Sequence, residues 1–466
     1  MIALTLAEVA EAVGGTLHNA DPAAVVSSSV EHDSRKLTPG SLFVAIVGER
    51  VDGHDFAGRA VAAGAVAVLA TRQLDVPTVL VADTQIALGK LARAVVDRST
   101  AAVVALTGSA GKTSTKDLIA QVLARRGETV FPAGSNNNEI GHPMTALRVE
   151  PATEYLVAEM GARHKGDIAY LCGITPPVIG AVLNIGTAHL GEFGSKAGIA
   201  EAKGELVEAL PADGTAVLNA DDPLVKAMAA RTQAKVLYFG ESPNADVRAT
   251  GVHLDDAGRP RFTLSTPAGS APVSLRLYGE HHVSNALAAA AVAVALGMSV
   301  DDTAAALGEA EALSRWRMEV VERADGVTVV NDAYNANPES MRAALRALAN
   351  MAGRGPERRR TFAVLGEMRE LGEDSLDEHD AIGRLAVRLD VTKLVAVGGR
   401  DAACMELGAR NEGSWGEESV LVSDADAAVE LLRGQLRPGD VVLVKASRSV
   451  GLERVAEALL ADGAAQ

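Results

Sequence analysis

Along the chain, short β-branched apolar runs alternate with longer stretches in which apolar residues return every three or four positions, the pattern of strands alternating with amphipathic helices. Val103, Val104 and Leu106, with runs at 155–158, 178–183, 216–218 and 236–239, predict a largely parallel sheet flanked by helices. Beyond Asp246 the period shortens to two over 248–277. Breaks at Asp256-Ala257-Gly258 and Pro267-Ala268-Gly269 there predict antiparallel hairpins, and helices at 284–296 and 301–312 close this central part. Before it, Leu6, Val9, Ala10 and Val13 predict a first helix, followed by strands at 42–47, 65–69 and 78–81 and a helix at 56–63. After it, strands at 327–330, 361–365, 394–397, 420–422 and 441–444 enclose helices such as 338–351 and 424–432. The expected fold is α/β in three domains: a small unit at 1–97, a central unit at 98–312 and a Rossmann-like unit at 313–466.

A chain of 466 residues is too long for one core, which agrees with three units. No apolar run reaches the roughly 18–20 residues of a membrane helix, so no membrane insertion is expected. Glu8 and Glu11 inside the first apolar pattern argue against a signal peptide, and the expected compartment is the cytoplasm. The net charge of −16 argues against nucleic acid or an anionic membrane as partner. Cys172 and Cys404 form no C-x-x-C arrangement and read as small buried hydrophobes. A monomer is the default expectation.

The segment AVVALTGSAGKTSTKDLI at 102–119 joins a buried strand to a glycine-bearing turn and a helix start, the layout of a phosphate cradle. Thr107, Gly108, Ser109, Ala110 and Gly111 form the turn, Lys112 offers a point charge to the β/γ-phosphates, and Thr113 offers a hydroxyl to magnesium. Leu106 stands where the longer G-x-x-x-x-G-K-[ST] pattern has glycine, so this is the shorter T-G-x-x-G-K-T form. Glu159 and His189 follow strand-like runs and are candidate magnesium ligands. By spacing alone Lys203, between Glu201 and Glu205, reads as a salt-bridged surface lysine. Ser34 and Arg35 lie in a loop before a strand, where Arg35 is either a surface arginine or a fork for a diphosphate. Arg358-Arg359-Arg360 reads as a solvated face.

The segments TGSAGKTSTK, NNNEIGHP, EMG, NIGTAHLGEFGS with AEAKGE, LNADDP, GEHHVSNALAAA, WRME, NDAYNANPESM, LGEMRELG and VKASRSVGLE follow one another as they do in the Mur ligases, and over nearly its whole length the chain resembles that family. NDAYNANP and LGEMRELG are most similar to the members that join D-alanyl-D-alanine to UDP-MurNAc-tripeptide. DSRKLTPGSLFVA is similar to the family's uridine-nucleotide unit. The resemblance implies an ATP-dependent amide ligase of peptidoglycan precursor synthesis that works through an acyl phosphate, with two magnesium ions. It implies that Lys112 and Thr113 hold ATP and the first ion, with Glu159 as a further ligand and His189 on the second. Lys203 matches a lysine carbamylated in the family, where the carbamate anion stabilises a magnesium site. Asn285 matches an adenine contact; Arg317, Asn331 and Asp332 match the far side of the ATP cleft. Asn137 and Asn138 match the sugar-substrate loop, and Lys445, Ser447 and Arg448 lie where D-alanyl-D-alanine is met. Ser135, Arg163, His282 and Ala446 depart from common family residues. Two alternatives remain at this point: another Mur or folylpolyglutamate-type ligase, and a nucleotide-hydrolysing switch, against which stands the lack of an N-K-x-D segment. A purely structural binding module would leave the phosphate loop unexplained.

Overall fold

A computed structural model describes residues 1–48, 50–187, 190–353, 355, 357–414 and 416–464. Besides an antiparallel pair of Leu4–Thr5 with Val25–Val26, three larger sheets follow one another along the chain. The first has five strands in the order Thr16–His18, Thr78–Leu80, Ala65–Ala70, Ser41–Val44 and Val30–Glu31, antiparallel only at the first pair. The nine-stranded central sheet is parallel from Thr129–Val130 to Val247–Leu254 and ends in the antiparallel strands Pro260–Thr266 and Gly269–Ser274. The third has six strands, five of them parallel and the edge strand Glu319–Glu322 antiparallel.

The alternation beyond Asp246 thus forms hairpin strands at one edge of a parallel sheet, as its period requires. In the central sheet, Ala102–Thr107 lies between Tyr155–Glu159 and Ile179–Val182. The chain winds to one side of this strand and then to the other, so a crevice opens at the strands' carboxyl ends. Thr107 and Glu159 end two of the three strands, and Asn184 follows the third by two residues.

The packing joins the units unequally. Leu88, Leu91 and Val95 of the helix Thr84–Val96 belong to one apolar core with Val103, Leu156 and Leu171, which ties the first sheet to a face of the central one. The second face of the central sheet is covered by the alanine-rich helix His282–Ala295, whose small side chains allow close approach. The third sheet has separate cores on its two faces. It is linked to the central unit by a polypeptide segment near residues 311–317, by a set of polar contacts and by the packing of Tyr278 against one of these cores.

Three expectations are corrected. The strand expected at 42–47 stops at Val44, because the chain turns back and Val47 bridges Asp52 instead, leaving Val47 63 % exposed. Arg358, Arg359 and Arg360 are not a solvated face. Arg360 forks onto the buried Asp440 at 2.6–2.9 Å, Arg359 donates to Gly439 O and Thr328 Oγ1, and Arg358 pairs with Asp390. Lys203, third, is 2 % exposed rather than on the surface; Lys165 is the lysine paired with Glu201.

Candidate active site

The carboxyl-end crevice is closed over by the third unit into a cavity of about 960 Å³. Its floor is the phosphate loop. Gly111 has φ +80°, and a Cβ there would come within 2.6 Å of Asn285 Oδ1, so both conformation and space require glycine. The helix Lys112–Leu123 starts directly after it, with no side-chain cap, which leaves its first N–H groups for an anion. Asn184 holds the loop from the next strand: its Oδ1 accepts from Ala110 N at 2.9 Å, its Nδ2 donates to Ala110 O at 3.0 Å, and its carbonyl accepts from Ser109 N. Thr107, fully buried, donates to Met160 O at 2.9 Å and fixes the strand end.

Lys112 Nζ donates to Gly108 O at 2.7 Å, a neutral partner, and removal from water lowers its pKa, opposed by the Glu159 carboxylate. Glu159 is 1 % exposed. Its Oε1 accepts from Asn137 Nδ2 at 2.7 Å and from Thr113 Oγ1 at 3.4 Å, while its buried Oε2 has no hydrogen-bond partner. An orphaned buried carboxylate oxygen costs free energy unless something outside the protein satisfies it. Glu159 and Thr113 are hard oxygen donors, and together they fit a magnesium ion. His189 lies outside the described residues. Lys203 lines the cavity with no ion-pair partner among the described residues, and burial, then the charge of Lys112, hold its amine pKa well below the ordinary lysine value.

The opposite wall comes from the third unit and the segment leading to it. Arg317 donates to Thr113 Oγ1 at 3.3 Å and its guanidinium lies 4.2 Å from the centre of the Tyr334 ring. Asp332 pairs with Lys445 at 2.6 Å, and Lys445 Nζ also donates to Asn335 O at 2.8 Å. Glu339, in the first turn of the helix Pro338–Met351, reaches across to the central unit and accepts from Thr187 N at 2.9 Å and Thr187 Oγ1 at 3.0 Å. The rings of His281 and His282 lie 4.3 Å apart, tilted by 38°, beside Asn285; burial pushes His281 down to about 4.

Of the residues singled out in the sequence, Ser109, Ala110, Gly111, Lys112, Thr113, Asn137, Asn138, Glu159, Lys203, Asn285, Arg317, Asp332 and Lys445 converge on the cavity. Thr107 and Gly108 brace it from behind. Asn331 is buried and accepts from Ala333 N, so it shapes the turn beside Asp332. Ser447 is buried, accepting from Arg369 N at 2.9 Å; Arg448 pairs with Glu453 and lies over the Trp316 ring. Neither lines the cavity. Ser34 and Arg35 are in the first unit, away from it, with Arg35 exposed and forked onto Asp33.

Sequence reasoning passed over Asn184, Tyr334, Asn337 and Glu339. A signal existed for two of them: Asn337-Pro338 is a helix-start signature, and Asn337 indeed caps that helix, placing Glu339 on its first turn.

Comparison with known proteins agrees with this architecture. Three family models match successive parts of the chain: Mur ligase family, catalytic domain at 27–105; Mur ligase middle domain at 106–293; and Mur ligase, glutamate ligase domain at 316–448. The chain is 52 % identical over a 502-residue alignment to the UDP-N-acetylmuramoyl-tripeptide--D-alanyl-D-alanine ligase of Mycobacterium tuberculosis, covering 99 % of this chain and 98 % of that protein. Among solved structures it is similar to MurF from Acinetobacter baumannii, with a TM-score of 0.88 at 33 % identity over 98 % of this chain and 99 % of that one. It is also similar to MurF ligase from Thermotoga maritima in complex with ADP, with a TM-score of 0.81 at 31 % identity, covering 94 % and 99 %.

Proposed function

The chain belongs to the Mur ligase family, and on that premise we propose that it joins D-alanyl-D-alanine to UDP-MurNAc-tripeptide at the expense of ATP, giving UDP-MurNAc-pentapeptide, ADP and phosphate. The observation that carries this reading is the cavity itself, in which a phosphate loop, with its lysine bonded only to the Gly108 carbonyl, faces a separate wall across a space of about 960 Å³.

The peptide carboxylate attacks the γ-phosphorus of ATP; the new O–P bond replaces the bond to the ADP oxygen, giving an acyl phosphate. The dipeptide amine then adds to the acyl carbon, and the collapse of the tetrahedral intermediate expels phosphate. Lys112 and the N–H groups at the start of its helix stabilise charge on the transferring phosphoryl group, and Arg317 reaches it from the third unit. The Glu339–Thr187 contact closes the two units around the acyl phosphate, which orients the reactants and keeps water out. Thr113 and Glu159 would hold one magnesium ion and His189, by the family resemblance, a second, and the metal would supply Lewis-acid stabilisation of the phosphate oxygens. Asn285 takes the adenine, Asn331 shapes the turn that presents Asp332 to the nucleotide, and Asn137 and Asn138 take the sugar substrate. Ser34 and Arg35 take the uridine diphosphate. Lys445 meets the incoming dipeptide from within the cavity, with Ser447 and Arg448 supporting the turn after it.

Lys203 is the site of carbamylation. Its amine, whose pKa burial and the charge of Lys112 hold well below the ordinary lysine value, adds to CO₂ with loss of a proton, and the resulting anion would stabilise a magnesium site beside it. Uptake of isotope-labelled bicarbonate that disappears in Lys203→Ala tests this. Three domains bounded near residues 97 and 312 account for the three sheets. Action as a monomer in the cytoplasm, where ATP is available, belongs to the same proposed reading. No helix among the described residues is long and apolar enough to cross a membrane.

The deciding experiment is phosphate release from ATP with UDP-MurNAc-tripeptide and D-alanyl-D-alanine, each omitted in turn, with mass detection of the product. Release that needs both and yields the pentapeptide is expected. Release with neither substrate would favour a nucleotide switch, and release only with another donor or amine would leave a ligase of different specificity.

A further inference from the structure

The polypeptide that joins the central and third units carries Arg317, and its backbone is unusual on both sides of that residue. Trp316 has φ +59° and Met318 φ +49°, two of five non-glycine residues in the left-handed region among those described. L-residues avoid this region, and it persists where neighbouring contacts over-determine the chain.

Those contacts come from two sides, the first being the phosphate-loop helix itself. Asp117 is 4 % exposed, and its Oδ2 accepts from Ser314 N at 3.0 Å. Its Oδ1 lies 2.5 Å from Nζ of Lys116, off the hydrogen-bonding angle. Lys116 is fully buried and donates to Pro132 O at 2.9 Å and to Ser314 Oγ at 3.3 Å. One turn on, Gln121 exchanges two bonds with the backbone of Glu311, Nε2 to O at 2.9 Å and N to Oε1 at 3.0 Å. Downstream, Met318 N donates to Asp332 Oδ1 at 3.1 Å, and Tyr334 N to Trp316 O at 3.2 Å. The linker is therefore gripped at 311 and 314 by one unit and at 316 and 318 by the other. Between the grips, Arg317 reaches Thr113 Oγ1, with its buried Nε still without a partner.

We infer that Asp117, with Lys116 as its counter-ion, is a positioning residue: it anchors the linker so that Arg317 is delivered, preorganised, to the phosphoryl group bound by the same helix. A buried charge pair one turn beyond Lys112 and Thr113 makes the spacing between lysine and arginine a property of one helix rather than of the docking of two units. Asp117 does not touch the reactants, and its effect passes through Arg317. The inference rests on the phosphoryl-transfer reading of the cavity.

The test is a double-mutant cycle in the full chain, with Asp117→Ala and Arg317→Ala made singly and together, followed by ATP-dependent phosphate release under saturating substrates. Asp117→Ala is expected to lower kcat about tenfold with KM for ATP changed by less than about threefold, and to have no further effect once Arg317 is gone. Asp117→Asn, which keeps the acceptor for Ser314 N, is expected to recover part of the loss. Equal losses with and without Arg317 overturn the inference. Should Asp117→Ala not fold, Gln121→Ala loosens the same grip at a half-buried position. In the same cycle it is expected to lower kcat about threefold only while Arg317 is present, and equal losses overturn the inference equally. The cycle compares variants in whatever ATP-consuming reaction the wild type performs, so failure of the ligase reading shows separately, as wild-type phosphate release that does not require the tripeptide and the dipeptide.

Discussion

On the central wall of the cavity Lys112 bonds to a neutral carbonyl and Lys203 has no ion pair among the described residues, whereas on the opposite wall Lys445 is paired with Asp332 at 2.6 Å. Burial lowers the pKa of all three, yet only for Lys445 is a directly bonded carboxylate there to oppose it. A buried lysine without a counter-ion weakens a fold, and on the proposed reading its place in this one is explained by what arrives from outside: phosphates at Lys112, and carbon dioxide taken up as carbamate at Lys203. The paired lysine is a finished piece of structure, complete before any substrate binds. The central wall is incomplete by charge and the C-terminal wall is not, although the chain as a whole carries −16.

The comparison is broken most directly at Lys112. Lys112→Ala removes the charge that meets the transferring phosphoryl group, and turnover is expected to fall by at least about 10³-fold. Thermal unfolding should change little, because Gly108 O loses a single hydrogen bond and no directly bonded carboxylate is left behind. Near-normal phosphate release from this variant would mean that the loop is not the phosphate site. Next in size comes Lys445→Met, a substitution that keeps the apolar stem and removes the charge. It leaves the Asp332 carboxylate buried without its ion pair, a cost of about 3–5 kcal/mol. Calorimetry should then show a marked fall in the unfolding temperature of the third unit. An unchanged transition would place Lys445 with the unpaired lysines and remove the contrast between the walls.

How much of this could be read from the chain depended on distance along it. The phosphate loop was legible because strand, turn, lysine and threonine lie within one short segment, and local spacing alone specifies their geometry. Glu159 was legible as a strand end. Lys203 was not, since Glu201 and Glu205 beside it suggest a surface, and only the packing of the helix Lys196–Glu208 against the central sheet turns the lysine inward. Arg360 misled for the same reason: its partner Asp440 lies 80 residues further on. The contacts of Asn184 with Ala110 and of Glu339 with Thr187 join segments 74 and 152 residues apart, with no periodicity to announce them. The family resemblance supplied Lys203, Arg317 and Lys445 where spacing did not. It gave no role to Asn184 or Glu339, although both lie in segments that carry the resemblance, and the fold alone brings Asn184 to the loop and Glu339 to Thr187.

The smallest effect sharpens the contrast most, because it reverses its sign. Lys203→Met, prepared in bicarbonate-free buffer with a chelator, removes a buried amine that has no counter-ion, and is expected to stabilise the fold by on the order of 1 kcal/mol near neutral pH while abolishing ligation. The sign of its pH dependence follows from the lowered pKa. Between the folded-state value and the ordinary 10.5, the unfolded chain binds a proton at Lys203 that the folded chain does not, so wild-type stability rises with pH across that window. The advantage of the methionine variant should therefore be largest at low pH and shrink as the pH approaches 10.5. Readdition of bicarbonate and magnesium to the wild type should shrink it as well, since a bound anion and its metal stabilise only the lysine form. The same lysine-to-methionine change would then destabilise one wall and stabilise the other. A Lys203→Met chain that melts below the wild type in the absence of bicarbonate would show that this lysine, like Lys445, is held by the protein's own contacts.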